Sequence, residues 1–598
     1  MINLVIYILH PNMEPFDYFA SRDPIVKKKY DALRDFFFNK ESADTVAEKY
    51  GYTLAAFYSL AKDFRKYLNQ DPQDDYFFKS KFQGRKHKEP QAGIDRLIID
   101  MRKKNYSSQD ILQYLQAAGN NISYQYIYQL IRSEGFAKLP RRDKQEKASL
   151  EIPKLKAPIA EQISFTDENF LTSSAGLLCF LPYIHKYGIT RLIEHSGYPS
   201  TKQISTLSSI LAFLALKLNN IRRYSCDDLW CMDRSCGLFA GLNVLPKNAW
   251  FSSYSHRVMR EANLTFLKGL HQIWSDNGLL SDTSNLDFTT IPYWGDDSHL
   301  ENNWSGKRNK ALSSMLAVLA QDPDSGIIDY GNADIRHKNE SAVVLEYLDF
   351  YRQTDTGNQD LKYLVFDSKF TNYENLSRLD DKGVKFVTIR RRGKKITEEI
   401  DDIPKGQWKI IRVEASGLKK RTLRVNDDII SLPGYKDEHG KAKPMRQVTI
   451  TGHGRIKPAL IITNDFDIKT EALVRKYTRR WLVEKGISEQ IEFFHLNRVS
   501  SSMVIKVDFD LVMTILAHNI YRLYAMDLDR YTHLSDERIY EKFVAIQGKI
   551  FINRDEIIVD MKKRRDLPLI LETMKNYGDV RYEIFNRKKM KFTGATTS

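Results

Sequence analysis

Cysteine is scarce in this 598-residue chain, with four residues at 179, 226, 231 and 236 and no Cys-x-x-Cys pair. That scarcity excludes a disulfide framework and the common paired-thiolate zinc sites, and leaves reduced core thiols of a cytoplasmic protein. Cys226, Cys231 and Cys236 do recur at five-residue spacing with Asp227, Asp228 and Asp233 among them, so a metal cluster there stays open as the lesser reading. Long apolar runs are missing too. STLSSILAFLALKLNN, residues 205–220, is too short to cross a bilayer and reads as a buried helix. The opening MINLVIYILHP has no basic flank and no small-residue cleavage site, so it is not read as a signal peptide, and Met13 is the expected translation start. Negative charge is in deficit. Asp and Glu number 76 against 91 Lys and Arg, a net charge of +15, which favours a polyanionic partner such as nucleic acid without establishing one.

The length implies about three to five domains. Near the amino end, SADTVAEKYGYTLAAFYSLAKDFRKYL (42–68) has the pattern of a helix-turn-helix. Ser42 can cap a helix bearing Val46 and Ala47, Gly51 permits the turn, and Thr53 can cap a second helix carrying Phe57 and Phe64. A plain helical hairpin is the alternative. The basic connector FFKSKFQGRKHKE (77–89) reads as a linker resting on phosphates. A second unit follows, with a helix capped after Ser107 or Ser108, the turn AAGNN, and a last helix capped by Ser123. That last helix presents Tyr124, Gln125, Tyr128 and Gln129 near its start, as a recognition helix would present them to DNA. Its exit LPRRDKQEK and the Pro-containing EIPKLKAPIAE read as linker, and the apolar stretch to about 280 as a helical domain.

The chemistry-bearing residues lie further on. Asp287 interrupts the β-prone run LDFTTI, and Asp367 follows the buried-strand run YLVF and precedes a turn and helix. In KYTRRWLVEKGISEQIEFFH (476–495), Tyr477, Arg480 and Glu484 fall within roughly 60° of one another on one helix face. Ile487 and Ile491 flank Glu484 there, so its carboxylate needs a cation or donors. Three converging carboxylates make an all-oxygen site suited to Mg²⁺, or to Mn²⁺ in its place, rather than zinc. Two such ions can clamp the attacking and leaving oxygens of a phosphodiester displacement. A strand-ending turn residue is the bland reading of either Asp. Asp296 and Asp297 rival Asp287 but follow Pro292 and Gly295 in a loop pattern; Glu489 and Glu492 rival Glu484, with Glu489 about 80° off the helix line.

Taken together, LDFTTIPYWGD, the stretch YLVFDSKFTNYENLSRLDDKGVKFVTIRRR, ALIITND and the Tyr477/Arg480/Glu484 helix resemble the DDE transposases of bacterial insertion sequences, in the subgroup with a Tyr-x-x-Arg-x-x-x-Glu helix. One position departs: the Lys often found seven residues after the Glu is here Ile491. The resemblance implies a multidomain α/β protein with a ribonuclease-H-like catalytic domain over 281–392 and 457–534. It implies Asp287, Asp367 and Glu484 as catalytic and metal-binding residues with Mg²⁺, and Tyr477 and Arg480 as phosphate contacts. The 117 positions from Asp367 to Glu484 exceed what that fold needs, and the excess is expected as a β insertion at 393–456, entered through the basic cluster Arg390, Arg391, Arg392, Lys394 and Lys395. The remaining boundaries are 1–75 and 76–145 for the two DNA-reading units, 146–164 for a linker, 165–280 for the helical domain and 535–598 for a basic tail that reads as helical. The implied activity is cleavage of double-stranded DNA at element ends and strand transfer into target DNA. It would be carried out by a homodimer on DNA in the bacterial cytoplasm, at the nucleoid and with no membrane part. A catalytically silent, transposase-derived DNA-binding protein and a nuclease on the same fold are the alternatives.

Overall fold

The computed structural model describes residues 24–69, 77, 92–104, 106–117, 122–137, 139, 168–221, 228–293, 300–305, 310–354, 361–414, 420–453, 458–496 and 503–595. For 24–26, 92, 117, 228–229, 305, 414, 420 and 481–491 it describes the backbone alone. The proposed start at Met13, most of the basic connectors, Cys226, Asp227, Asp296 and Asp297 lie outside the described residues, as do the side chains of Asp228, Glu484, Glu489 and Ile491.

The chain divides into two compact units, 1–91 and 92–598. In the first, α1 (Pro24–Phe37), α2 (Ala43–Lys49) and α3 (Leu54–Leu68) pack around Ala32, Val46, Ala47 and Phe57. Both helix starts are fixed by their caps. Ser42 Oγ accepts the N–H of Thr45 and Thr53 Oγ1 that of Ala56, while Gly51 takes the positive φ that the tight turn demands.

The second unit opens with α4 (Ala92–Lys103), α5 (Ser108–Ala117) and α6 (Tyr124–Ser133), closed over Ile98, Ile111, Leu115, Ile127 and Ile131. Ser123 caps α6 by accepting the N–H of Tyr126 at 3.2 Å. Strand β1 (Glu168–Thr172) precedes α7 (Leu181–Lys186), α8 (Ile189–His195), α9 (Thr206–Leu218), α10 (Arg234–Phe239), α11 (Asn248–Ser255) and α12 (Arg260–Asp276). Helix α9 is the apolar run of 205–220 and is buried from Ser209 to Leu218, as a helix apolar all round must be. Among the described residues no helix is long and apolar enough to cross a membrane. Cys179, Cys231 and Cys236 are buried thiols.

Next comes a ten-stranded sheet built from β2 (Thr283–Pro292), β3 (Asn302–Ser305), β4 (Lys310–Gln321), β5 (Ile328–Ile335), β6 (Tyr363–Phe366), β7 (Lys385–Ile389), β8 (Lys409–Glu414), β9 (Lys420–Lys436), β10 (Ala442–Thr451) and β11 (Ala459–Thr463). Its order is β3-β4-β2-β6-β7-β11-β10-β9-β8, with β5 paired to β4. Only β2-β6 and β6-β7 are parallel. The runs expected as a β insertion are strands β8, β9 and β10, and they extend this sheet through β11. Helices α13 (Val343–Thr354), α14 (Tyr373–Asp381), α15 (Lys394–Asp401), α16 (Thr470–Phe493) and α17 (Val504–Asp527) complete the region. Side-chain alternation sorts the sheet's two faces. Val365, Val387 and Ile461 pack on Leu473, Val474 and Tyr477 of α16, whereas Leu364, Phe366, Phe386 and Ile462 join the principal core with α13, α14 and α17.

The carboxyl-terminal region corrects the helical reading of 535–598. It has short helices, α18 (Asp536–Ile539) and α19 (Leu567–Lys575), but is framed by β12 (Gly548–Ile552), β13 (Glu556–Met561), β14 (Arg581–Tyr582) and β15 (Lys588–Gly594). These strands and β1 form a five-stranded sheet in the order β1-β12-β13-β15-β14. The signal was period two: Ile550 and Ile552, then Ile557, Val559 and Met561, are buried while their neighbours are more exposed. Glu168 pairs with Ile552, so the start of the helical region and the end of the chain share one sheet.

Candidate active site

Strands β2 and β6 run parallel in the register Leu286 to Phe366. The residue after each is an Asp, so Asp287 and Asp367 emerge side by side from neighbouring strands, which lie about 4.8 Å apart in any sheet. Both residues are pinned locally. Asp287 Oδ1 accepts the N–H of Phe288 at 2.9 Å; Asp367 Oδ1 accepts the N–H of Lys369, and its backbone carbonyl accepts from Thr388 Oγ1 of β7 at 3.2 Å. Phe288 and Phe370 stack face to face, 3.9 Å between centroids and 5° between planes, which ties the two Asp-bearing segments together.

Helix α16 crosses this end of the sheet and packs on β2, β6 and β7. Leu473, Val474 and Tyr477 seat it, and one turn later Arg480 reaches Asp287, Nη1 to Oδ2 at 3.3 Å. Both partners are buried, at 4 % and 6 % exposure, so each charge depends on the other. Burial pushes the Tyr477 hydroxyl up to about 12; Arg480 works against that, and the charges of Asp367 and Asp287 add to it. Tyr477 is thus within electrostatic reach of both carboxylates. Position 484 lies in the same helix one turn beyond Arg480, a rise of about 6 Å. Glu492, a rival for that role, sits at the end of α16 and its backbone carbonyl accepts the N–H of His495.

A cleft of about 750 Å³ opens over Asp367. Tyr477 and Arg480 line it, and its lining is strongly cationic, with Arg390, Arg391, Arg392 and Lys394 joined by Thr397 and His453. Arg390 donates to Gln447 Oε1 of β10 at 2.7 Å and Arg391 Nε to the carbonyl of Ser368, in the turn after β6, at 3.1 Å, so two of these guanidinium groups are oriented by the scaffold. The basic cluster was visible in the sequence. His453, Thr397 and Lys369 were not singled out there; Thr397 follows Lys394 by one turn of α15, whereas His453 reaches the cleft only when the sheet assembles. Lys369 Nζ lies 5.9 Å from the Phe288 ring centre.

Away from the cleft, Ser123 caps α6, while Tyr124, Gln125, Tyr128 and Gln129 are exposed on it. Tyr124 and Tyr128 stack with centroids 6.4 Å apart. The opposite side of α6 is buried through Ile127 and Ile131.

Two carboxylates on adjacent parallel strands, Asp287 within β2 and Asp367 just past the end of β6, lie in a mixed α/β domain under a helix that brings an arginine and a third acidic position. Residues 282–520, less than half of the chain, match the family model described as the transposase DDE domain. That span runs from just before β2 into α17 and includes Asp287, Asp367 and Glu484. No curated protein matches the chain. Among solved structures, a piggyBac transposase synaptic complex with hairpin DNA is similar at a TM-score of 0.34 and 11 % identity, over 67 % of this chain and 81 % of that one.

Proposed function

We propose that this protein is a DNA transposase of the insertion-sequence type, whose catalytic residues are Asp287, Asp367 and Glu484. The observation that carries this reading is the emergence of Asp287 and Asp367 side by side beneath α16 and beside a cationic cleft, within a span matching a transposase DDE domain. The donor set fits a hard cation: Mg²⁺ is commonly held by one or two carboxylates, with water and substrate phosphate oxygens filling the remaining positions. Asp287, Asp367 and Glu484 would hold Mg²⁺, or Mn²⁺ in its place. When bound, the cation supplies Lewis acidity at the phosphoryl oxygens and lowers the pKa of the attacking water. The chain's own groups do the positioning. Arg390, Arg391, Arg392 and Lys394 line the path of a phosphodiester backbone, and Tyr477 and Arg480 meet the phosphate nearest the carboxylates.

In this reading double-stranded DNA is the substrate twice over, first as element end and then as target. The two amino-terminal helical units read the ends, the second through Tyr124, Gln125 and Tyr128 on α6, and a homodimer holds two ends together in the bacterial cytoplasm, at the nucleoid. The test is substitution of Asp287, Asp367 or Glu484 by Ala, one at a time. Each variant should lose cleavage of end-bearing DNA while binding it with nearly wild-type affinity. Cleavage surviving any of the three removes that residue from the site, and joint loss of binding and cleavage assigns it a structural role.

A further inference from the structure

Two arginine–aspartate pairs at this sheet differ in geometry. Arg446 donates to both oxygens of Asp427, Nε at 2.9 Å and Nη2 at 2.7 Å, and Nη1 donates to the carbonyl of Ile468 at 2.6 Å. This is a structural fork that fixes β10 to β9. Arg480 meets Asp287 differently: Nη1 stands 3.3 Å from Oδ2, longer than the roughly 2.7–2.9 Å of a fitted charge-assisted bond. Arg480 also lines the cleft, so the residue that meets this carboxylate borders the substrate space.

We infer that Arg480 is a positioning residue with two successive partners. In the protein without DNA it neutralises Asp287, which at 6 % exposure needs a counter-charge. When a DNA phosphate enters the cleft, Arg480 transfers to it and leaves Asp287 to the divalent cation. The inference rests on the metal-site reading above and adds an order of events: Arg480 competes with the cation for Asp287 until DNA arrives, so cation and DNA binding are positively linked. A purely structural Arg480, holding Asp287 in place, predicts the opposite sign, because its loss would weaken cation binding.

The experiment is titration of the full chain with Mn²⁺, followed by the electron paramagnetic resonance of free ion, with and without end-bearing DNA. Wild type should bind Mn²⁺ more tightly once DNA is present, on the order of tenfold, within the range of site-to-site couplings. Arg480→Gln should bind Mn²⁺ more tightly than wild type without DNA and gain little when DNA is added. Equal or weaker Mn²⁺ binding by a folded Arg480→Gln overturns the inference while leaving the metal site standing. Should that variant fail to fold, wild type decides alone, since an affinity for Mn²⁺ indifferent to DNA overturns it equally. If Asp287→Asn leaves Mn²⁺ binding unchanged both with and without DNA, the metal-site reading itself fails and the inference falls with it.

Discussion

Removing residues 535–598 should unfold the helical region of residues 168–280, a consequence of β1 pairing with β12 that no reading of the segment as a tail contains. Ile550, Ile552, Ile557, Val559, Met561 and Met590 are each at most 2 % exposed and share a core with Ala175, Leu177 and Leu178. At ~1.5 kcal/mol apiece, the low end for a fully buried aliphatic side chain, these alone are worth ~9 kcal/mol. A domain's whole net stability is about 5–15 kcal/mol. Truncation would also strip β1 of its backbone partner from Glu168 to Thr172 and leave a bare sheet edge. The assay is expression of residues 1–534 beside the full chain, with far-ultraviolet circular dichroism, thermal melting and limited proteolysis. The truncated protein should be insoluble, or cleaved early between residues 168 and 280. A soluble 1–534 fragment melting within a few degrees of the full chain would refute the reasoning, because the shared sheet would then contribute almost nothing.

Tyr124→Ala combined with Tyr128→Ala removes two half-exposed rings that stack on each other on α6. It should leave the melting temperature nearly unchanged while weakening binding to end-bearing DNA by about 1–3 kcal/mol, read by gel shift at fixed salt. Equal losses on unrelated DNA would assign these rings to non-specific contact. Acid stability should depend on His256, whose pKa is brought down to about 4 by burial and then by the charges of Lys506 and Arg102. A folded pKa below the unfolded value means the unfolded chain binds the proton more readily, so the stabilisation is complete above about pH 6.5 and is lost as pH falls through 4. His256→Gln should flatten denaturant midpoints between those pH values, and an unchanged slope would show that other groups control acid unfolding.

Local signals in this chain were readable where chemistry and geometry are set within a few residues. Ser42, Thr53 and Ser123 are the caps their positions promised, because capping needs only a side-chain oxygen three residues before a free N–H. The strands that carry Asp287 and Asp367 were legible too, Asp287 as an interruption within a β-prone run and Asp367 as the residue after an apolar run of strand length. The partner of Arg480 was not readable. Asp287, which pairs with it, lies on a strand nearly two hundred residues earlier. The basic run at 390–395 was legible as charge, but His453 reaches the cleft beside it only through tertiary pairing. Strands β12 and β13 were missed because charged residues such as Lys549 and Asp560 diluted a period-two pattern that sheet burial makes plain.

The most direct test of the central claim is a strand-transfer reaction: purified full-length protein, Mg²⁺, linear DNA carrying the sequences that flank the gene at its own locus, and a supercoiled target plasmid. The account predicts free 3′-hydroxyl ends followed by covalent joining of those ends to the plasmid. Both products should depend on Mg²⁺ and both should be lost in Asp367→Ala. Hydrolysed ends that never join the plasmid would make the protein a nuclease, and specific binding with neither cleavage nor joining would make it a silent DNA-binding protein; either result contradicts the account.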